Sequence, residues 1–196
     1  MQKRKQYIIG QEFKNAGKLG LVLQGEKPSL GTEFYLSYSK EGIQVRIQCE
    51  VDETLRSAFV GGAVPVWNAD AVEVFLSPYA KEDWYYEFDF APNGSYFLGH
   101  IFNPDKFTAY NHALEQDCGV TWDIQVKDSV WMTEMFIPYS AMGLQGKTLA
   151  EIKSMPWRFN VYRICDGAQE FCSFAPTYAN KINFHVSSAF ADLIFE

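Results

Sequence analysis

The run Ile43-Gln44-Val45-Arg46-Ile47-Gln48-Cys49-Glu50-Val51 alternates without a break, every odd position apolar and every even one polar. Successive side chains of a strand point to opposite faces, so this period of two predicts a half-buried antiparallel strand. The same reading extends outward. Residues 71–76 form a strand stopped by Ser77-Pro78, and residues 84–90 form another. In the latter, Trp84, Tyr86, Phe88 and Phe90 fall on one face and Tyr85, Glu87 and Asp89 on the other. Pro92-Asn93-Gly94 follows. Asn-Gly between strand-like runs predicts a type I′ hairpin with positive φ at both central residues, after which residues 95–101 return as a strand. Residues 120–126, 129–137 and 157–164 read as further strands, with Lys127-Asp128 turning between the first two. Helix signals are short: one turn at Ser140-Ala141-Met142-Gly143, and one over residues 148–153, where Thr148 and Glu151 match a capping box. The stretch 103–119 is polar and irregular and reads as a long surface loop. Many short strands separated by turns predict an all-β fold, an antiparallel β-sandwich of immunoglobulin-like or jelly-roll type with one or two short helical turns.

The bulk properties narrow the function. A chain of 196 residues without internal repeat, low-complexity segment or linker fits one domain spanning 1–196. The net charge is −7 and Lys3-Arg4-Lys5 is the one basic cluster, so there is no stripe to neutralise phosphates and nucleic acid is excluded as a partner. No apolar run reaches the roughly 18 residues of a membrane span. The apolar stretch Tyr7-Ile8-Ile9 after Lys5 is shorter than a signal-peptide core of about 7–15 residues; the expectation is a cytoplasmic protein or one that has lost a leader. Aromatic residues make up 16% of the chain. They suit strands, and they also supply flat apolar faces for ligands. The four cysteines form no CxxC pair, which removes zinc-ribbon and thioredoxin readings. Cys165 and Cys172 flank the turn-like Asp166-Gly167 and are candidates for a cross-strand disulfide, although buried free thiols are the simpler expectation.

Catalytic motifs are missing. His100, His112 and His185 lack zinc-protease spacing, no G-x-S-x-G elbow places a serine, and Met132, Met135 and Met142 read as packing residues. What remains is the segment Val66-Trp67-Asn68-Ala69-Asp70-Ala71-Val72-Glu73-Val74-Phe75-Leu76. Trp67 and Asp70 precede the strand, and Glu73 points away from Val72 and Val74. If this strand pairs with residues 84–90, Glu73 and Glu87 share a face framed by aromatic rings. A pair drawn from Asp70, Glu73, Glu87 and Asp89 is also the one candidate for glycosidase or lyase chemistry, which needs two carboxyls about 5–9.5 Å apart.

These residues carry a resemblance. Trp67-x-x-Asp70-x-Val72-Glu73-Val74-Phe75 resembles the W-x-x-D-x-V-E-V-F signature of the family 9 carbohydrate-binding modules, part of a larger DOMON-like group. Tyr86-Glu87-Phe88 with Pro92-Asn93-Gly94, Glu134-x-x-Ile137-Pro138-Tyr139, Trp157-Arg158-Phe159-Asn160-Val161-Tyr162-Arg163, and Phe184-His185 with Phe190-x-x-Leu193-x-Phe195 resemble further family elements, in order, from about residue 30 to the C-terminus. The resemblance implies a non-catalytic β-sandwich that holds a sugar chain end between two aromatic rings, serves glycoside hydrolases, is secreted, periplasmic or at the cell surface, and often carries calcium. Trp67 matches the first sandwiching ring, and Glu73 and Glu87 match the hydroxyl ligands. The second ring falls in Glu170-Phe171-Cys172-Ser173-Phe174-Ala175-Pro176, where phenylalanine replaces the family's tryptophan. Phe174 holds the matching position and Phe171 is the neighbouring substitute. Arg163 is a candidate either for a ligand hydroxyl or for a structural pair, and Asp70 is the candidate calcium ligand. The alternative function is an interaction or accessory domain that has kept the sandwich and lost the sugar slot.

Overall fold

The computed structural model describes residues 4–57, 62–103, 110–114 and 117–196. Among these, fourteen strands occur: β1 Gln6–Ile9, β2 Gly17–Lys18, β3 Gly20–Leu21, β4 Thr32–Tyr38, β5 Gly42–Glu50, β6 Ala71–Ser77, β7 Trp84–Phe90, β8 Tyr96–Phe102, β9 Tyr110–Ala113, β10 Thr121–Lys127, β11 Val130–Pro138, β12 Trp157–Cys165, β13 Glu170–Ser173 and β14 Ala191–Phe195. They build two sheets. The larger runs β1-β14-β12-β6-β7-β8-β9, with β13 on the second half of β12 and β3 on β13; the smaller runs β10-β11-β5-β4-β2. β1 pairs in parallel with β14, and β5, β6, β7, β11 and β12 pair antiparallel with their neighbours. This is the expected β-sandwich.

The main core lies between the sheets. Val72, Val74, Leu76, Phe88, Phe90, Phe159 and Val161 of the larger sheet meet Phe34, Leu36, Val45, Ile47, Trp131 and Ile137 of the smaller one. In β5 one face is buried and the other mostly open, as its alternation predicts. β6, β7 and β12 differ: their outer faces are buried too. A second apolar cluster covers that outer face, joining Ala71, Phe75, Tyr85, Ile101, Tyr162 and Ile164 to the loop residues Val22, Val66, Phe184 and Phe190. Glu73, Glu87 and Asp89 therefore sit under loops on the outside of the larger sheet.

The turns refine the sequence reading. Asp128 and Ser129 both have positive φ between the paired Lys127 and Val130, so the two-residue turn of type I′ geometry is here, one residue beyond the expected Lys127-Asp128. At Pro92-Asn93-Gly94 only Gly94 has positive φ. Gly94 N–H donates to Ala91 O, Ala91 N–H to Ser95 O, and Ser95 N–H to the Asn93 side chain. This longer loop suits Pro92, whose fixed φ fits the first centre of a type I turn. The short helical turn ends at Gly143, which is left-handed, and α1 (Leu149–Ser154) carries the predicted capping box. The stretch 103–119 is not wholly a loop: it contains β9, paired with β8, while 104–109 and 115–116 lie outside the described residues. Cys49, Cys118, Cys165 and Cys172 are free thiols, with burial raising the Cys172 thiol to about 12.

Candidate functional site

The outer cover of the larger sheet leaves a cavity of about 400 Å³, bordered by Trp67, Glu73, Glu87, Phe171, Ile182 and His185, with Asn111, Ile164, Asn183 and Phe184 completing it. Strand periodicity builds its floor. Glu73 pairs in register with Asp89, and Phe75 with Glu87, so side chains of Glu73, Glu87 and Asp89 project from one face. Tyr162 stands beside Glu73 on β12, and Ile164 faces Phe171 across β12–β13.

The walls come from loops. Trp67 lies in a short turn, Val66–Asn68, anchored by the buried Val66. Trp67 is 37% exposed, and its ring rests edge-on against Phe97 at 5.3 Å. A side chain at position 99 would collide with the Phe97 ring, so Gly99 gives that ring its place. Another part of the wall, at Phe184 and His185, is pinned from beneath. Tyr162 stacks on Phe184 at 4.3 Å and donates to Phe184 O. Asn103 donates to His185 O, the Tyr85 hydroxyl bonds His185 Nδ1 at 2.8 Å, and His185 N–H donates to the Asn183 side chain. Burial lowers the His185 imidazole to about 4.

The floor is electrostatically loaded. Glu73, Glu87 and Asp89 are buried, and one oxygen from each lies within 4.8 Å of the others. Burial, compounded by the charge of Glu87, raises Glu73 well above its ordinary range, and burial with the charges of Glu87 and Glu73 does the same to Asp89. Burial lifts Glu87 to about 7. Asp89 and Glu87 can share a hydrogen bond when one of them holds a proton. Otherwise Glu87 Oε2 and both oxygens of Asp89 are buried without a donor among the described residues.

The structure brings together four of the sequence-derived candidates: Trp67, Glu73, Glu87 and Phe171. Three lie elsewhere. Phe174 is three residues after Phe171, so strand alternation turns it inward. It packs in the sandwich core against Phe34, Phe159 and Tyr7, with Lys5 over its ring. Arg163 also faces inward. It is 1% exposed and donates to Gly31 O, Thr32 Oγ1 and Glu50 O, tying β12 to the opposite sheet. Asp70 is buried, and its Oδ2 accepts from Arg56 N–H at 2.8 Å. Burial raises this carboxyl while backbone donors from Arg56 and Asp166 oppose the shift. Its oxygens are committed to holding loops, and among the described residues it joins no cluster able to ligate a metal. The donor set at Asp70 does not fit calcium.

Asn111, Ile182 and Asn183 border the cavity without having been singled out. Asn111 lies on β9, inside the stretch read as loop. Ile182 and Asn183 arrive through the Tyr162–Phe184 stack, a contact with no local pattern. His185, placed by the resemblance in the Phe184-His185 element, is a structural hydrogen-bonder that also borders the cavity.

No protein-family model and no curated protein matches the sequence. Solved structures do. A Bacteroides uniformis ATCC 8492 protein proposed to bind carbohydrate superposes with a TM-score of 0.82 at 18% identity, over 99% of this chain and 100% of that one. A family 9 carbohydrate-binding module of Caldicellulosiruptor kristjanssonii in complex with glucose gives 0.64 at 12% identity, over 98% and 96%. The same module with cellotriose gives 0.64 at 12%, over 98% and 94%. The chain thus has the β-sandwich fold of the family 9 carbohydrate-binding modules.

Proposed function

We propose that this protein binds carbohydrate without catalysis, holding a mono- or oligosaccharide, by its chain end, in the cavity beside Trp67. The observation that carries the reading is the convergence of an exposed tryptophan, a phenylalanine and two glutamates on one cavity of about 400 Å³. A sugar has an apolar C–H face and a hydroxyl rim. Trp67 and Phe171 supply apolar surface for the first, and Glu73 and Glu87 accept hydrogen bonds from the second. The Caldicellulosiruptor module, whose fold this chain shares, binds glucose and cellotriose. The natural setting of such a domain is as an accessory to a glycoside hydrolase. Titration calorimetry with a panel of mono- and oligosaccharides, starting from glucose and cellotriose, tests the reading. Saturable heat that disappears in Trp67→Ala is expected; no heat with any saccharide overturns it.

A further inference from the structure

We infer that Glu73, Glu87 and Asp89 bind a divalent cation, calcium by ligand type, in the floor of the cavity. The site stands on its own geometry and needs the carbohydrate reading only for what lies above it. Three buried carboxyls side by side demand positive charge, because a buried ion without a partner costs several kcal/mol. No cationic side chain among the described residues acts on them: the influences on all three are burial and one another.

Protons are the other source of positive charge, and they fit the oxygens less well. One proton between Glu87 and Asp89 satisfies Glu87 Oε2 and a single oxygen of Asp89. The second Asp89 oxygen, fully buried, stays bare. A cation ligated by both oxygens of Asp89 leaves none. The spacing agrees: calcium bonds oxygen at about 2.3–2.6 Å, so one ion reaches oxygens up to about 5 Å apart, and these lie within 4.8 Å. An all-carboxylate set selects a hard cation over zinc or copper. Calcium takes 6–8 oxygens, more than three carboxylates supply here. Glu73 and Glu87 border the open cavity, which leaves the remaining positions to water or to ligand hydroxyls. The calcium expected from sequence at Asp70 is thereby moved to the cavity floor.

The test uses the full chain stripped with chelator, then titrated with terbium, whose luminescence is sensitised by a nearby tryptophan such as Trp67, and with calcium by calorimetry. The expected result is one site with dissociation constant below about 1 mM, terbium displaced by calcium, and affinity weakened at least tenfold in Asp89→Asn. Calcium at about a hundredfold excess over that constant raises the wild-type melting temperature by about 5–10 °C and leaves the variant unmoved. If Asp89→Asn does not fold, Glu87→Gln carries the same comparison. The inference is overturned if wild-type protein binds neither ion, or if both variants bind as tightly as wild type. Saccharide titrations on the same samples separate the two proposals: sugar binding without any cation site sinks this inference alone, and a cation site without sugar binding sinks the carbohydrate reading alone.

Discussion

Removing the Trp67 ring separates binding from folding. Trp67 is 37% exposed, and an indole side chain carries up to about 250 Å² of surface, so about 90 Å² is free to be covered by a ligand. At about 25 cal/mol per Å² this area is worth about 2 kcal/mol, a loss of about 30-fold in affinity on truncation to alanine. The matching face of the sugar adds to this, making 30-fold the lower bound. The folding cost follows from the same area: the covered part of the side chain, about 160 Å², is worth up to about 4 kcal/mol. Among the described residues its aromatic partner is Phe97, edge-on, which adds about 0.5–1.5 kcal/mol. For a chain of this size the melting temperature falls by about 10–20 °C, and the variant's affinity is read below its melt. The assay is titration calorimetry paired with thermal melts of wild type and Trp67→Ala. Unchanged sugar affinity refutes the placement of ligand on this ring, and a fall in melting temperature beyond about 20 °C shows that Trp67 is a core residue.

Other changes probe the two faces of the larger sheet. Phe171→Ala should weaken sugar binding about tenfold with a small loss of stability, while Phe174→Ala should cost about 3–5 kcal/mol of stability and leave the affinity of the folded protein intact; chemical denaturation and calorimetry on both variants decide it, and the reverse pattern contradicts the inward orientation of Phe174. Arg163→Met strips the donor from Gly31 O, Thr32 Oγ1 and Glu50 O and should lower stability by about 3 kcal/mol without touching sugar affinity; loss of affinity in well-folded variant would place Arg163 in the binding machinery. His185 is held at about 4 by burial against about 6.5 in the unfolded chain. The unfolded state therefore binds the extra proton first, so stability falls as pH drops from about 6.5 to 4, by about 3 kcal/mol in total. Urea melts of wild type and His185→Gln across that range should show a shallower acid loss in the variant, and equal slopes would contradict it.

The legibility of the fold follows solvent exposure. β5 alternates because one of its faces meets water, and its sequence says so. β4, with Phe34, Leu36 and Tyr38 on one face, carries the same period and was not singled out. β6 and β12 are buried on both faces, by the second sheet and by loops, so polarity alone does not show that Glu73 is shielded. The parallel pairing of β1 with β14 joins the two ends of the chain and has no local signal. At the site, Glu73 and Glu87 were legible because strand period fixes their face, whereas Phe171 entered only through the resemblance, as the neighbour of Phe174. The same period, carried three residues past Phe171, would have turned Phe174 inward. Asn183 could not be read, because its loop is seated by Tyr162 and Tyr85, far away in sequence.

The central claim is that the cavity at Trp67 holds a saccharide, and a crystal soak is its most direct test. A crystal of the calcium-loaded protein soaked with cellotriose, or with whichever saccharide gives heat in calorimetry, should show a sugar ring against Trp67 and Phe171, with hydroxyls on the Glu73 and Glu87 side of the cavity. A sugar seated on another surface, or an empty cavity at concentrations that saturate binding in solution, would contradict the account.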